Sequence, residues 1–260
     1  MSFYPFEIAA NLLQTAVYIV ILVLETKRYA ERPNLRAGLF SVATACLAIG
    51  DFYWISLLYL GNDSVRSFSA SDISEIGNML LLYSIMKLRP ERSSFRRLVC
   101  PGTVLSVLFG LTVAALWNLW SVPLIATVLE ILLMILLSCA SVLQIEEERP
   151  IPGRAITTAS LLLGASAAVQ IALLGVGGKA YEMLDAAGSL LMTAFVLLLI
   201  LASRRTPGQR LPVSMLAFTA ANYAQSMCIG FFYSLSMVLV TLSYALLFRG
   251  VCEAEEEALV

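Results

Sequence analysis

The chain has 260 residues, of which 59% are apolar and 13% charged, a balance that leaves too few polar residues to cover a water-soluble globule. Its net charge of -1 and its scattered basic residues exclude a clustered basic face, so no nucleic-acid partner is expected. There is no histidine, which excludes mechanisms that need imidazole as base, proton shuttle or metal ligand. The five cysteines show no spacing typical of a metal site, so no metal or other cofactor is predicted.

Long apolar stretches dominate the chain and predict an all-α, polytopic transmembrane helix bundle. A membrane-spanning helix needs about 20 apolar residues, with a range of roughly 17 to 25. This criterion predicts about nine spanning helices, one N-terminal helix followed by four hairpins. The helices are placed at 7–25, 37–60, 72–88, 98–119, 122–144, 155–175, 182–203, 211–229 and 231–248.

The last two predicted helices depend on a break within one apolar stretch. As a single helix, 211–248 would extend about 57 Å at a rise of about 1.5 Å per residue, well beyond a hydrocarbon core of about 30 Å. A turn near Gly230 divides the stretch into two crossings. An irregular 211–248 would instead leave eight helices.

Lysine and arginine predict the orientation, because basic residues flank cytoplasmic helix ends. With the N-terminus outside, all of the 17 lysines and arginines except Arg66 and Lys179 fall in inner segments. One transmembrane domain is therefore expected at 1–250, with a short acidic cytoplasmic tail at 251–260. The first apolar run lacks a preceding basic region and is interpreted as a spanning helix rather than a removable signal peptide.

Acidic side chains inside membrane helices mark a candidate site. A carboxylate there costs roughly 2.5 to 3.5 kcal/mol on insertion scales, so it usually faces the protein interior. Asp51 lies beyond the middle of the second predicted helix, and Glu130 lies inside the fifth. Glu75 and Asp185 lie nearer the outer surface, where the helix dipole also favours a carboxylate. Positions 75, 130 and 185 recur at an interval of 55 residues in successive hairpins, which suggests an internal repeat.

Neutral polar side chains at the same predicted depth extend the candidate site. Asn78 belongs to the third helix, and Asn222 and Gln225 belong to the eighth. A single amide side chain in a membrane helix typically forms a hydrogen bond to a neighbouring helix. Together with the acids they predict a polar cavity open to the outside, and because Arg66 and Lys179 are its only counter-charges, a cation or amine is the expected ligand. The predicted ligand-binding residues are Asp51, Glu130, Glu75, Asp185, Asn78, Asn222 and Gln225.

One segment carries a resemblance to known membrane proteins. Gly50–Trp54 through Ser69–Glu75, followed by Leu80–Leu82, resembles uncharacterised bacterial multi-helix membrane proteins and is similar to the multi-helix input regions of some bacterial signalling proteins. The resemblance covers about one hairpin and implies the bacterial cytoplasmic membrane, although no signalling output domain is recognised. Gly50-Asp51 is also similar to membrane lysoplasmalogenases, but that family's histidine is missing here, so its activity is not carried over.

Three functional classes remain open. A transporter or channel for a cationic or small polar solute accounts for the acids and the outward cavity. A sensory or binding module would use the same cavity and act through a cytoplasmic protein partner, at the basic inner loops or the acidic tail. An intramembrane lipid hydrolase would use Asp51 and Glu130 as an acid and a base that activate water. Beyond the lipid bilayer, such a ligand and such a protein, no partner is expected.

Overall fold

The computed structural model describes residues 4–59, 70–88, 124–148, 169, 172, 176–205, 209–228 and 230–257. Within these ranges the regular structure is entirely helical, which confirms the predicted all-α class. Seven helices are defined: α1 (Tyr4–Glu31), α2 (Leu35–Tyr59), α3 (Ala70–Lys87), α4 (Leu124–Glu148), α5 (Lys179–Arg205), α6 (Arg210–Met227) and α7 (Phe231–Glu257). The predicted helices 98–119 and 155–175 lie outside the described residues, apart from positions 169 and 172.

The break predicted near Gly230 is confirmed. α6 ends at Met227, and Cys228 adopts an extended backbone with φ -86° and ψ 149°. Gly230 has a φ of 60°, a left-handed conformation that glycine adopts without the steric penalty of a Cβ. α7 begins at Phe231, so the apolar stretch folds into a hairpin of two packed helices.

Four helices are long and apolar enough to cross a membrane. They cover Phe6–Glu31, Leu35–Leu57, Lys179–Arg205 and Phe231–Glu256, and the apolar part of α4, Leu129–Ile145, is shorter. The described residues therefore establish four candidate spans rather than nine. α3 and α6 have 18 residues each and carry more polar side chains than lipid-exposed helices do. α6 is mostly buried, and because neighbouring helices surround it, it needs less apolar surface than a helix that faces lipid.

The side chains of α1 are distributed as expected for a helix in lipid. Its exposed face is apolar, with Leu13, Val20 and Val23 at 50%, 57% and 62% exposure. Its buried face is largely polar and includes Asn11, Gln14, Thr15, Tyr18 and Glu25. In water this arrangement would be unfavourable on both faces, because apolar surface stays hydrated while polar groups are buried. The reversed polarity indicates that α1 contacts lipid.

α6 and α7 form the centre of the bundle. α7 packs against α1, α2, α5 and α6, and α6 also packs against α4 and α5. The helices α1, α2, α3 and α4 pack in sequence around this pair. Gly250 allows the close approach of the two central helices, since a Cβ there would lie 2.8 Å from both Cα and N of Leu211.

Tyr244 of α7 is the centre of a buried aromatic core. Its ring centroid lies 5.0 Å from that of Tyr18, 5.4 Å from that of Phe40 and 5.2 Å from that of Phe218. Its hydroxyl is 3.0 Å from Thr44 Oγ1, so the buried polar atom of the tyrosine has a partner. The core joins α1, α2, α6 and α7.

Helix ends that carry arginine meet at one end of the bundle, called the basic end from here on. Arg28, near the end of α1, forms an ion pair with Glu255 of α7, with Nη2 and Oε2 2.8 Å apart. Arg36, near the start of α2, donates a hydrogen bond from Nη1 to the carbonyl oxygen of Ala254 at 2.7 Å. These contacts place the end of α1, the start of α2 and the end of α7 together.

The other helices reach the same end. Gln144 Nε2 of α4 donates to the carbonyl oxygen of Met86 in α3 at 2.8 Å. Arg210, the first residue of α6, donates from Nε to the carbonyl oxygen of Ser203 in α5 at 3.3 Å and forms an ion pair with Glu253 of α7. All seven described helices therefore have one terminus at the basic end.

The segment predicted as the start of an acidic tail is part of α7. Residues 251–257 continue the helix, with Val251 and Ala254 buried. The carboxylates of Glu253 and Glu255 form ion pairs with arginines of other helices. Helical spacing puts the buried and paired residues on the face of α7 that meets α1 and α6, so these charges stabilise the bundle.

Candidate functional site

The acidic end is the end of the bundle opposite the basic end, where α1 and α7 begin and α2 ends. There α2 and α3 pack closely because Gly50 has no side chain: a Cβ at Gly50 would lie 3.1 Å from the Cβ of Ser74. Asp51 and Glu75 are the next residues along each helix. The close packing brings an acid of α2 near an acid of α3.

Glu75 connects three of the predicted site residues. It lies close enough to interact electrostatically with Asp51 of α2 and with Glu130 of α4. Asp72, one turn earlier in α3, adds its negative charge to both glutamates. The structure thus places Glu75 within electrostatic range of carboxylates on two other helices, an arrangement that the sequence left open. The name acid cluster is used below for Asp51, Glu75 and Glu130.

Glu130 is the most enclosed member of the acid cluster. It is 8% exposed, and its Oε1 atom has no hydrogen-bond partner among the described residues. Asp51 differs, because its Oδ2 accepts a hydrogen bond from Thr15 Oγ1 of α1 at 3.4 Å. A buried carboxylate oxygen without a partner costs free energy unless a proton or a cation compensates it. Glu130 is therefore expected to carry a proton or to lie beside a positive charge.

The charges that act on the acid cluster are themselves acidic. In the part of the chain that the structure describes, Glu75 acts on Asp51 and on Glu130, Asp72 acts on both glutamates, and no basic side chain is among the groups that act on the three. The arginines of the basic end are engaged with acids of α7. Like charges held together in a weakly polar interior repel one another, and a cation bound among them removes that repulsion.

Aromatic side chains lie around the acid cluster. Tyr18 of α1 and Tyr233 of α7 are each within electrostatic range of Asp51 and Glu75. Trp54 follows Asp51 by one turn of α2, and its indole Nε1 is buried without a partner in the described ranges. Aromatic faces attract organic cations through the ring quadrupole, tryptophan most strongly. The combination of carboxylates and aromatic rings suits an organic amine.

The three predicted amides have different environments. Asn78 is fully buried and donates to the carbonyl oxygen of Ala43 at 2.9 Å, which ties α3 to α2. Asn222 donates to a backbone carbonyl one turn earlier in α6 at 2.8 Å. Gln225 hydrogen-bonds to the hydroxyl of Tyr233, beside the acid cluster. Asn78 thus acts between helices, one turn after Glu75, whereas Gln225 contacts a tyrosine that is in electrostatic range of the acid cluster.

Asp185 lies apart from the acid cluster. Its charge acts on Cys228 at the end of α6, and it is not among the groups that act on the three clustered carboxylates. The interval of 55 residues therefore relates three acids in sequence, of which the structure brings two, Glu75 and Glu130, together.

Asp51 and Glu130 are not directly paired. Each interacts with Glu75, and no hydrogen bond joins these two described carboxylates. Among the described residues, no group of three or more histidine, cysteine, aspartate or glutamate side chains could hold a metal ion.

No family model, curated protein or solved structure matches this chain.

Sequence reasoning missed Thr15, Tyr18 and Tyr233. A signal was present for two of them, because Asn11, Thr15 and Tyr18 recur at helical spacing and form a polar line on one face of an otherwise apolar helix. Tyr233 gave no such signal, since its position depends on how α7 packs beside α2.

Proposed function

We propose that the chain is a multi-pass protein of the bacterial cytoplasmic membrane, with nine spanning helices, its N-terminus outside and its C-terminus in the cytoplasm. The gathering of arginine-bearing helix termini at the basic end supports this orientation, because positively charged segments stay on the cytoplasmic side. The reversed polarity of α1 supports contact with lipid. In this orientation the acid cluster lies in the outer half of the membrane.

The proposed activity is the transport of a cationic amine through the acid cluster. The observation that carries it is the convergence of three carboxylates from α2, α3 and α4, of which Glu130 is buried with an unpartnered oxygen. Because each acid belongs to a different helix, a shift of α2 against α4 changes the spacing of the charges. Such a shift gives the two conformations different affinities for the cation, as alternating access requires.

Transport is preferred to the two other classes for structural reasons. A sensory module is expected to dock its partner at the basic inner loops or at the acidic tail, and in that tail Glu253 and Glu255 form ion pairs within the bundle. A carboxylate-dependent hydrolase would need an acid and a base in contact with the same water, and Asp51 and Glu130 are linked only through Glu75.

Binding is tested by melting the detergent-purified protein with a panel of monoamines, diamines and polyamines. An amine that binds the native state raises the melting temperature of the wild type. We expect this shift to be lost in Glu130→Gln and in Asp51→Asn. Asp185→Asn is the matched control, because it removes an acid of similar predicted depth outside the cluster, and it should retain the shift. A full shift in both cluster variants would disprove the site.

Transport is tested with the same amine in lipid vesicles. Vesicles that contain the wild type or Asp185→Asn should accumulate the labelled amine, and vesicles with Glu130→Gln should not. An amine that stabilises the wild type without crossing the membrane would identify a binding module instead and would favour the sensory class.

A further inference from the structure

At the basic end, two buried glutamates share one arginine. Arg28 Nη1 lies 3.1 Å from Glu25 Oε1, and Arg28 Nη2 lies 2.8 Å from Glu255 Oε2. Glu25 is completely buried, and Glu255 is 7% exposed. The second oxygens, Glu25 Oε2 and Glu255 Oε1, are buried without a hydrogen-bond partner in the described part of the chain. One guanidinium thus satisfies half of each carboxylate.

In the described part of the chain, the ionisable groups that face this pair come from α1, α2 and α7. Arg28 comes from α1, and Arg36 of α2 acts on Glu255 while it donates to a backbone carbonyl of α7. From α7 come the Cys252 thiol, 3.9 Å from Glu25 Oε1, and the carboxylate of Glu256. Glu256 is exposed, whereas Arg28 forms ion pairs with both buried glutamates. A positive charge on one of the two unpartnered oxygens would complete the neutralisation of the carboxylates that share Arg28.

A column of two tyrosines connects this pair of glutamates to the acid cluster. Tyr18 accepts a hydrogen bond from Gln14 Nε2 at 2.8 Å and interacts with Asp51. Its ring meets that of Tyr244 edge to face with centroids 5.0 Å apart, and Tyr244 interacts with Glu25. The two groups of acids are thus connected by the fully buried rings of Tyr18 and Tyr244.

We propose that Glu25 and Glu255 together bind one exchangeable proton, and that a cation entering the acid cluster releases it. The second half of this inference rests on the proposed function, and the first half does not. The proton binds to an unpartnered carboxylate oxygen, where it supplies the missing positive charge. On release the O–H bond breaks, the electron pair stays on the carboxylate, and the proton passes to water at the basic end.

The distance between the two sites is short enough for this coupling. Thr15, which contacts Asp51, and Glu25 are ten residues apart on α1, which corresponds to about 15 Å along the helix. At an effective dielectric constant of about 20, a unit positive charge at that distance weakens proton binding about sixfold. An amine in the acid cluster therefore shifts the proton occupancy at the basic end measurably.

The proton site is tested by infrared spectroscopy of the purified protein in H2O and D2O, which detects the carbonyl stretch of a protonated carboxyl group. The wild type should show such a band for this pair besides any band of the acid cluster, and Glu25→Gln should lose the band of the pair. Glu31→Gln is the matched control, because Glu31 is an exposed acid of the same helix that pairs with Lys27 at 3.9 Å, and it should retain the band. Glu255→Gln should also lose the band, and it replaces Glu25→Gln if that variant does not fold. An unchanged band in the folded variants would overturn the proton site.

The coupling is tested by adding an amine to weakly buffered protein with a pH-sensitive dye. Wild type and Glu31→Gln should release up to about 0.4 proton more per bound amine than Glu25→Gln does, because a sixfold change in affinity lowers the occupancy of one site by at most that amount. Because Glu25→Gln keeps the acid cluster, it should still show the amine-induced melting shift. Equal proton release from all three proteins, with that shift intact, would overturn the coupling and leave the proposed function standing. If no amine shifts the wild type, the proposed function fails and the infrared band still decides the proton site.

Discussion

Gly250→Ala tests the close packing at the centre of the bundle. A Cβ at Gly250 would lie 2.8 Å from both Cα and N of Leu211 and 3.1 Å from the carbonyl carbon of Arg210. All three are backbone atoms in the first turn of α6, so no side-chain rotation relieves the contact, and α6 and α7 must move apart. Overpacking of this kind costs about 1–3 kcal/mol. Alanine regains about 1 kcal/mol of helix propensity over glycine, which leaves a net destabilisation of about 0–2 kcal/mol, with a central value of about 1 kcal/mol.

The free energy of unfolding in detergent micelles measures this effect, with the melting temperature as a second readout. A loss of about 1 kcal/mol corresponds to a decrease of about 2–4 °C for a chain of this size. Gly177→Ala is the control, because a Cβ there meets no atom within 4 Å, and its stability should not change. A Gly250→Ala variant as stable as the wild type would refute the direct backbone contact between α6 and α7.

Three further substitutions test the contacts between helices. Asn78→Ala removes a fully buried hydrogen bond to Ala43, and we expect a loss of about 2 kcal/mol in unfolding free energy. Gly50→Ala puts a Cβ 3.1 Å from that of Ser74, so α2 and α3 must move apart. This separation should weaken the stabilisation by an amine more than it lowers the melting temperature of the free protein. Arg28→Gln leaves two buried carboxylates without their shared cation and should lower the free energy of unfolding by about 3 kcal/mol. Adding Glu25→Gln should recover part of this loss, and unfolding of the single and double variants measures both effects.

The positions of the described helices follow from the apolar stretches, but their lengths do not. The first helix was predicted at 7–25, and α1 covers Tyr4–Glu31. A hydropathy criterion detects only the apolar part of a helix. The backbone hydrogen bonds of α1 continue past that part into the charged segment with Arg28, because the ion pair with Glu255 stabilises this last turn. The same reasoning explains why α7 continues through the segment predicted as a tail.

The sequence identified acidic residues as the candidate site but did not show which of them lie together in the folded bundle. Charge inside apolar stretches identified Asp51, Glu75 and Glu130, as well as Asp185. Which acids meet depends on which helices touch, and that depends on local packing such as the close approach of α2 and α3 at Gly50. A single sequence records the residue types on a helix face, whereas the partner of that face is a property of the folded bundle.

The glutamate at the far end of α1 was missed for a related reason. Glu25 stands where the apolar stretch ends, so its position is typical of a solvated charge at a membrane surface. Its complete burial arises because α7 extends far enough to cover it with Cys252 and Glu255. The length of α7 could not be predicted from hydropathy, and neither could the environment of the residue that it covers.

The polar face of α1 extends from the acid cluster to the basic end of the bundle. Asn11, Thr15, Tyr18 and Glu25 are all buried on that face, although each of them would be more stable in water than in lipid. An apolar face would satisfy the packing of α1 against α2 and α7 at lower cost, so packing alone does not account for these side chains. They place hydrogen-bonding and ionisable groups along the length of one rigid helix, from the acid cluster to the shared arginine at the basic end. A change of charge at either end therefore acts on the other through a fixed distance in a medium that screens it weakly, which is the physical requirement for coupling a cation to a proton.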